Sequence, residues 1–244
     1  MKWISHRGES QDAPENTLAA FKLAVQRDTE GIETDIHLTK DGKLVCIHDS
    51  QTGRVADKDL NIENSTLEEL RKLNYNTKFD SYPAQKIPEF YELLELLHPG
   101  KTFLIEIKQS DEKVLEKMAS ELERLSIPHK QIVVICFMKE IVAASKKYMP
   151  DIKTLWLTSF EKKEGKLVPS VAESIACLKD TKADGIDACC QIEHFDEKYI
   201  QALKKEGFLV SVWTVNDLKT AKYYISSGVD FITSNCAAAL KKGC

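Results

Sequence analysis

The sequence predicts an α/β fold in which parallel strands close into an eight-stranded barrel, and three observations predict it. Eight short apolar, strand-like runs are spread along the 244 residues. Each is followed by a stretch of helical periodicity, with one interruption at residues 50–87. No linker rich in Pro, Gly or Ser divides the chain. Strand–helix units repeated in this number form a closed parallel barrel, although a doubly wound open sheet gives a similar alternation. The expected organisation is one domain over residues 1–244, with an insertion hung on the end of the second strand at about 50–87.

Taken in order, Trp3-Ile4-Ser5-His6 reads as a strand that ends in the loop His6-Arg7-Gly8. Pro14-Glu15-Asn16-Thr17 opens a helix, with Glu15 expected in its first turn, where a negative charge suits the helix dipole. Gly31 to Leu38 is the second strand. Within the polar insertion one helix is expected from Thr66 to Leu73, and a second starts at Ile87-Pro88 and runs to Leu97. Regular alternation then resumes. Strands are expected at Phe103–Lys108, Ile132–Phe137, Ile152–Leu157, Asp184–Ala188, Phe208–Thr214 and Val229–Thr233. The matching helices are Glu112–Leu125, Lys139–Tyr148, Val168–Leu178, Asp196–Lys205, Asn216–Ser227 and Ala237–Lys242.

Composition narrows the function classes. Hydrophobic residues at 43% and charged residues at 30% describe an ordinary globular protein. A net charge of -4 without a basic stripe argues against nucleic acid as a partner, because a polyanion needs clustered cations. No apolar run is long enough to span a bilayer, so no stable membrane insertion is expected. Seven scattered cysteines without a CxxC pair read as mostly buried thiols in a reducing compartment. The expected location is cytoplasmic, or secreted or periplasmic if a signal peptide has been removed; a homo-oligomer stays open.

The chemistry gathers around Gly31–Asp49. Glu33 and Asp35, two apart on a strand, point from the same face and repel, which calls for a cation between them. The Asp41-Gly42 turn then sends the chain back to deliver His48-Asp49 beside them. Glu106 and Lys108 repeat the spacing of two, sharing a face with Leu104 while Phe103, Ile105 and Ile107 face the helices. In a barrel, His6, Arg7, Glu33, Asp35, Glu106, Lys108 and Trp213 all fall toward the C-terminal ends of strands, where barrel sites lie. The set suits phosphoryl chemistry. Glu33, Asp35 and Glu106 would bind a hard divalent ion, Arg7 and Lys108 would neutralise phosphate oxygens, and His6 and His48 would serve as acid and base.

Six stretches in order, His6-Arg7-Gly8, Pro14-Glu15-Asn16-Thr17, Glu33 through His48-Asp49, Ile105-Glu106-Ile107-Lys108, Val212-Trp213-Thr214-Val215-Asn216 and Gly228-Val229-Asp230, make the chain resemble the glycerophosphodiester phosphodiesterase family over nearly its whole length. The resemblance implies a TIM barrel with a small insertion after the second strand and one bound Mg²⁺ or Ca²⁺. It implies cleavage of a small-molecule glycerophosphodiester to glycerol 3-phosphate and an alcohol, through a cyclic phosphate formed by the substrate's own 2-hydroxyl. By position, Glu33, Asp35 and Glu106 would be the metal ligands, His6 and His48 the catalytic pair, and Arg7, Lys108 and Trp213 the substrate-binding residues, with Trp213 against the glycerol. The chain departs from the family pattern at Cys136-Phe137, where Ser-Phe is frequent, and at Thr233-Ser234-Asn235, where an Asp commonly follows the Thr.

Three rival readings remain open: a lysophospholipase D-like enzyme, a non-catalytic barrel that holds a phosphodiester, and an aldolase or lyase using Lys108 as a Schiff base. His37, on the same face as Glu33 and Asp35, is expected to be a supporting or rim imidazole rather than a ligand, since hard cations favour oxygen. His98, His129 and His194 are expected in solvent, and Trp3 and Trp156 against the helices. Cys189-Cys190 is assigned no site.

Overall fold

A computed structural model describes residues 1–244. Eight strands form the barrel: β1 (Lys2–His6), β2 (Gly31–Leu38), β3 (Thr102–Ile107), β4 (Ile132–Cys136), β5 (Lys153–Thr158), β6 (Gly185–Cys189), β7 (Leu209–Trp213) and β8 (Phe231–Ser234). Each pairs in parallel with the next, and β1 pairs with both β8 and β2, which closes the sheet. The architecture is a TIM barrel. The helices are α1 (Leu18–Gln26), α2 (Leu67–Leu70), α3 (Phe90–Leu94), α4 (Lys113–Arg124), α5 (Lys139–Tyr148), α6 (Val171–Thr181), α7 (Glu197–Lys205), α8 (Leu218–Ser226) and α9 (Ala237–Gly243).

Burial on both faces explains why the barrel strands read as continuous apolar runs: all six residues of β3 are buried. Phe103, Ile105 and Ile107 belong to the large core between strands and helices, while Leu104 packs inside the barrel with Ile4, Val133, Ile135, Leu155, Leu157 and Phe231. Trp3 and Trp156 also lie in the outer core, as expected. Gly31 and Gly185 are there for space, since a side chain on either would meet a neighbouring strand's carbonyl oxygen at 2.2 and 2.1 Å respectively.

The stagger of a closed barrel lets alternate strands contribute side chains at one height, in layers of four. The register puts Glu33, Ile135, Asp187 and Thr233 in one layer. His6, Glu106, Leu157 and Trp213 form the layer above it, toward the C-terminal ends of the strands.

Several element bounds differ from expectation for local reasons. Helix α1 starts at Leu18 because the Thr17 side chain caps it, so Glu15 lies outside the first turn and is spent on side-chain partners. The insertion's helix α2 is a single turn capped by a Thr66–Glu69 capping box. The chain leaves it into a turn in which Asn74 Oδ1 accepts from the backbone of Asn76 and Gln85. Val55, Ala56, Ile62, Leu70, Leu73, Tyr75 and Ile87 bury themselves with Val45 and Ile47 in a small core of their own. Before α6 the chain forms an unexpected hairpin, Glu161–Lys163 with Lys166–Val168. Pro169 keeps Val168 extended, and the helix begins only after the Ser170 cap.

Candidate active site

The barrel's C-terminal mouth opens on a cavity of about 350 Å³ lined by the two upper layers and by Arg7, His48, Lys108, Phe137 and Thr214. Its two halves differ in chemistry. From β1–β3 and their loops come His6, Arg7, Glu33, His48, Glu106 and Lys108; from the opposite strands come Ile135, Phe137, Leu157 and Trp213. Phe137 and Trp213 meet edge to face with ring centroids 5.7 Å apart.

One oxygen from each of Glu33, Asp35 and Glu106 lies within 4.8 Å of the others. Glu33 and Asp35 come from β2 and Glu106 from β3, with Asp35 and Glu106 directly paired in the register. Around them stand two cations. Arg7 Nε is 3.3 Å from Asp35 Oδ2, and Lys108 Nζ is 2.7 Å from Glu106 Oε1 and 3.6 Å from Asp35 Oδ1. Asn16 Nδ2 donates to Asp35 Oδ2 at 2.9 Å, and the Arg7 backbone N–H donates to Glu33 Oε2 at 2.9 Å. Arg7 and Asn16 both hold left-handed backbone angles, φ 56° and 52°, an uncommon conformation for non-glycine residues that tends to mark functional sites.

Two cations do not satisfy three buried carboxylates. Burial and the adjacent Asp35 raise the Glu33 carboxyl well above the ordinary range. Burial and Asp35 push Glu106 up to about 8 despite Lys108. Burial also opposes charge on Asp35, yet Arg7, Lys108 and His48 together hold its pKa below normal. Asp35 Oδ1 is buried with no hydrogen bond. A cluster of oxygen donors short of positive charge, with one donor atom unpartnered, fits a hard divalent cation.

The imidazoles are each oriented through Nδ1. His6 Nδ1 lies 2.6 Å from Asn235 Oδ1, and its Nε2 is 3.8 Å from Glu33 Oε2. Burial, with Arg7 alongside, lowers its pKa to about 4. His48 Nδ1 meets Asp49 Oδ1, whose other oxygen accepts from Arg54 Nε. Arg54 also makes two hydrogen bonds of 2.8 Å to Glu15, which accepts from Arg7 as well. Residues 49–54 of the insertion are thus tied to the loop after β1. His37 is buried beside the cluster but contacts the His48 carbonyl at 3.1 Å, and burial lowers its pKa.

All eight residues singled out in the sequence, His6, Arg7, Glu33, Asp35, His48, Glu106, Lys108 and Trp213, converge at this mouth. The sequence reading missed Asn16, Glu15, Arg54, Asn235, Phe137 and Asp187. An acid at an inward position of an apolar strand could have flagged Asp187, and the departure at Thr233-Ser234-Asn235 could have flagged Asn235. The others act through contacts far apart in the chain. His194, expected in solvent, is half-buried, and its Nδ1 is enclosed without a partner.

Residues 6–238 match the glycerophosphoryl diester phosphodiesterase family. A glycerophosphodiester phosphodiesterase from Caldanaerobacter subterraneus is 29% identical over 248 residues, spanning 95% of this chain and 93% of the relative. One from Bacillus altitudinis is 30% identical over 237 residues, with the same coverage of 95% and 93%. Among solved structures, an Oleispira antarctica phosphodiesterase in complex with the product sn-glycerol-3-phosphate superposes with a TM-score of 0.85 at 26% identity, over 99% of this chain and 96% of that one. The chain belongs to the glycerophosphoryl diester phosphodiesterase family, and with it to the phosphoric diester hydrolases.

Proposed function

We propose that this chain hydrolyses glycerophosphodiesters of small alcohols, such as glycerophosphocholine or glycerophosphoethanolamine, to sn-glycerol 3-phosphate and the alcohol. The observation that carries the reading is the convergence of three carboxylates, two cations and two separately oriented imidazoles on one enclosed cavity. Membership of the family supports the same reaction class.

Arg7 and Lys108, on either side of Asp35, bind the non-bridging phosphoryl oxygens by charge-assisted hydrogen bonds. The glycerol 2-hydroxyl attacks phosphorus in line with the leaving alcohol, forming a cyclic phosphate. His6 is neutral near pH 7 and donates Nδ1–H to Asn235, so its free Nε2 accepts the proton of the attacking hydroxyl. His48, steadied by Asp49, supplies a proton to the departing alcohol oxygen. In the second step the roles reverse: His48 takes a proton from water, and His6 returns one to the 2-oxygen as the ring opens. A Mg²⁺ or Ca²⁺ ion held by Glu33, Asp35 and Glu106 would supply Lewis-acid activation and neutralise charge on the phosphoryl group. Trp213 lines the wall against which the glycerol lies.

The test is release of sn-glycerol 3-phosphate from a panel of headgroup diesters, with and without chelator. Chelator-sensitive release supports the reading, and no release from any diester rejects it. Faster turnover of lysophosphatidylcholine than of glycerophosphocholine would transfer the assignment to a lysophospholipase D-like enzyme. Stable co-binding of metal and intact diester would transfer it to a binding barrel.

A further inference from the structure

One acidic side chain in the cavity plays no part in this mechanism. Asp187 sits on β6 and shares a layer with Glu33, which lies across the barrel from it on β2. It is 1% exposed, its Oδ1 has no hydrogen-bond partner, and no ion pair involves it. The Thr233 hydroxyl in the same layer and the Ser211 hydroxyl paired with Asp187 on β7 are also buried without partners. Burial raises the Asp187 carboxyl to about 7. Folded proteins seldom leave such groups unmatched, so Asp187 and Thr233, both lining the floor of the cavity, point to a polar ligand.

The proposed chemistry identifies which part of the substrate reaches them. In-line displacement puts the attacking and leaving oxygens on opposite sides of phosphorus, so one alcohol faces the barrel floor and the other faces the mouth. A site that accepts several leaving alcohols turns the variable one outward, which leaves the glycerol inward. Its 2-hydroxyl is engaged in attack and its 3-oxygen is esterified to phosphorus. The terminal 1-hydroxyl is the remaining polar group, and the wall it faces is Ile135, Leu157 and Trp213 except for Asp187 and Thr233. No cation stands in this layer, and the neighbouring unpaired groups are hydroxyls, a setting suited to a neutral hydroxyl partner.

We propose that Asp187, with Thr233, forms a subsite on the barrel floor that reads the terminal hydroxyl of the glycerol group, making the enzyme selective for glycerol over diols that lack that hydroxyl. This rests on the glycerophosphodiester reading above. A site built to hydrogen-bond a hydroxyl rejects the analogue without it, because its own buried polar groups are then left unpaired.

The test compares the ethanolamine diester of glycerol phosphate with that of propane-1,2-diol phosphate, which keeps the attacking hydroxyl and loses the terminal one. For the wild type, kcat/KM is expected to favour glycerol by about 100-fold or more. Asp187→Leu is expected to bring the two substrates within about threefold of each other by losing the glycerol diester's advantage, with Asp187→Asn between the two. Calorimetry of sn-glycerol 3-phosphate against propane-1,2-diol 1-phosphate should give the same order without turnover. Equal handling of both diesters by the wild type, or undiminished preference in a folded Asp187→Leu or Asp187→Asn variant, overturns the subsite while leaving the phosphodiesterase reading intact. Discrimination in calorimetry without turnover of any diester supports the subsite and removes the enzyme reading. Loss of discrimination only among headgroups would place Asp187 against the leaving alcohol and overturn the proposal.

Discussion

Asn235 Oδ1 lies 2.6 Å from His6 Nδ1 and also accepts from Ser10 Oγ at 3.1 Å. An amide oxygen accepts and cannot donate, so His6 carries its proton on Nδ1 and turns a lone pair on Nε2 to the cavity. Asn235→Ala should free the ring and lower kcat by about 10- to 100-fold with little change in the fold, read by steady-state kinetics and thermal melting. Asn235→Asp sets a carboxylate against Nδ1–H and raises the His6 pKa from its value of about 4. Because the base must be neutral, the acid limb of the kcat/KM profile should move to higher pH; an unmoved limb would remove His6 from the role of base.

The three carboxylates should respond differently to neutralisation. Glu33 is already biased toward its protonated form by burial and Asp35, so Glu33→Gln should leave the metal-free melting temperature unchanged or higher. Asp35 balances Arg7 and Lys108 in a fully buried setting, and Asp35→Asn should cost about 3 kcal/mol or more. Both variants should lose activity.

Cation binding gives a separate readout. At about 100 times its Kd, a bound ion adds about 2.7 kcal/mol, a rise of roughly 5–10 °C for a chain of this size. Titrating Ca²⁺ or Mg²⁺ in scanning fluorimetry should show that rise in the wild type and not in Glu33→Gln, Asp35→Asn or Glu106→Gln. An equal rise in all four proteins would place the ion elsewhere.

Arg54 joins the insertion to the catalytic side through Asp49 and Glu15. Its side chain is 39% exposed, so solvent screens the pairs, and Arg54→Ala should cost no more than about 1 kcal/mol of stability. Activity should fall further, by about tenfold, because Asp49 loses the partner that holds it against His48. Arg54→Lys should restore little, since a lysine cannot reproduce the two parallel bonds to Glu15.

Asp187 should leave a signature in stability against pH. Its folded pKa is about 7, against an ordinary 3.8, so between those values the folded chain keeps a proton that the unfolded chain has released. Its contribution to stability is therefore fully present below pH ~4 and lost as pH rises through 7. Asp187→Asn should remove that slope, matching the wild type below about pH 4 and exceeding it by up to a few kcal/mol at pH 8 in urea denaturation. Parallel curves for the two proteins would mean that the carboxyl is solvated in the folded state.

Much of this molecule was legible in one dimension. Strand–helix alternation is written in local periodicity, and the spacing of two at Glu33/Asp35 and Glu106/Lys108 sets each pair on one face of its strand, because a strand's side chains alternate whatever its neighbours are. The Asp-Gly turn that returns His48 is equally local. Closure was not local: the pairing of β1 with β8 joins residues more than two hundred positions apart, and the same alternation fits an open sheet. The stagger that follows from closure alone decides that Asp187 faces Glu33 in one layer and that Asn235 meets His6, while Arg54 reaches Glu15 through the packing of the segment after β2 on the loop after β1. The residues to bring together were determined by the sequence itself; their heights in the barrel, and hence which charges remain unmatched, were decided only when the strands closed.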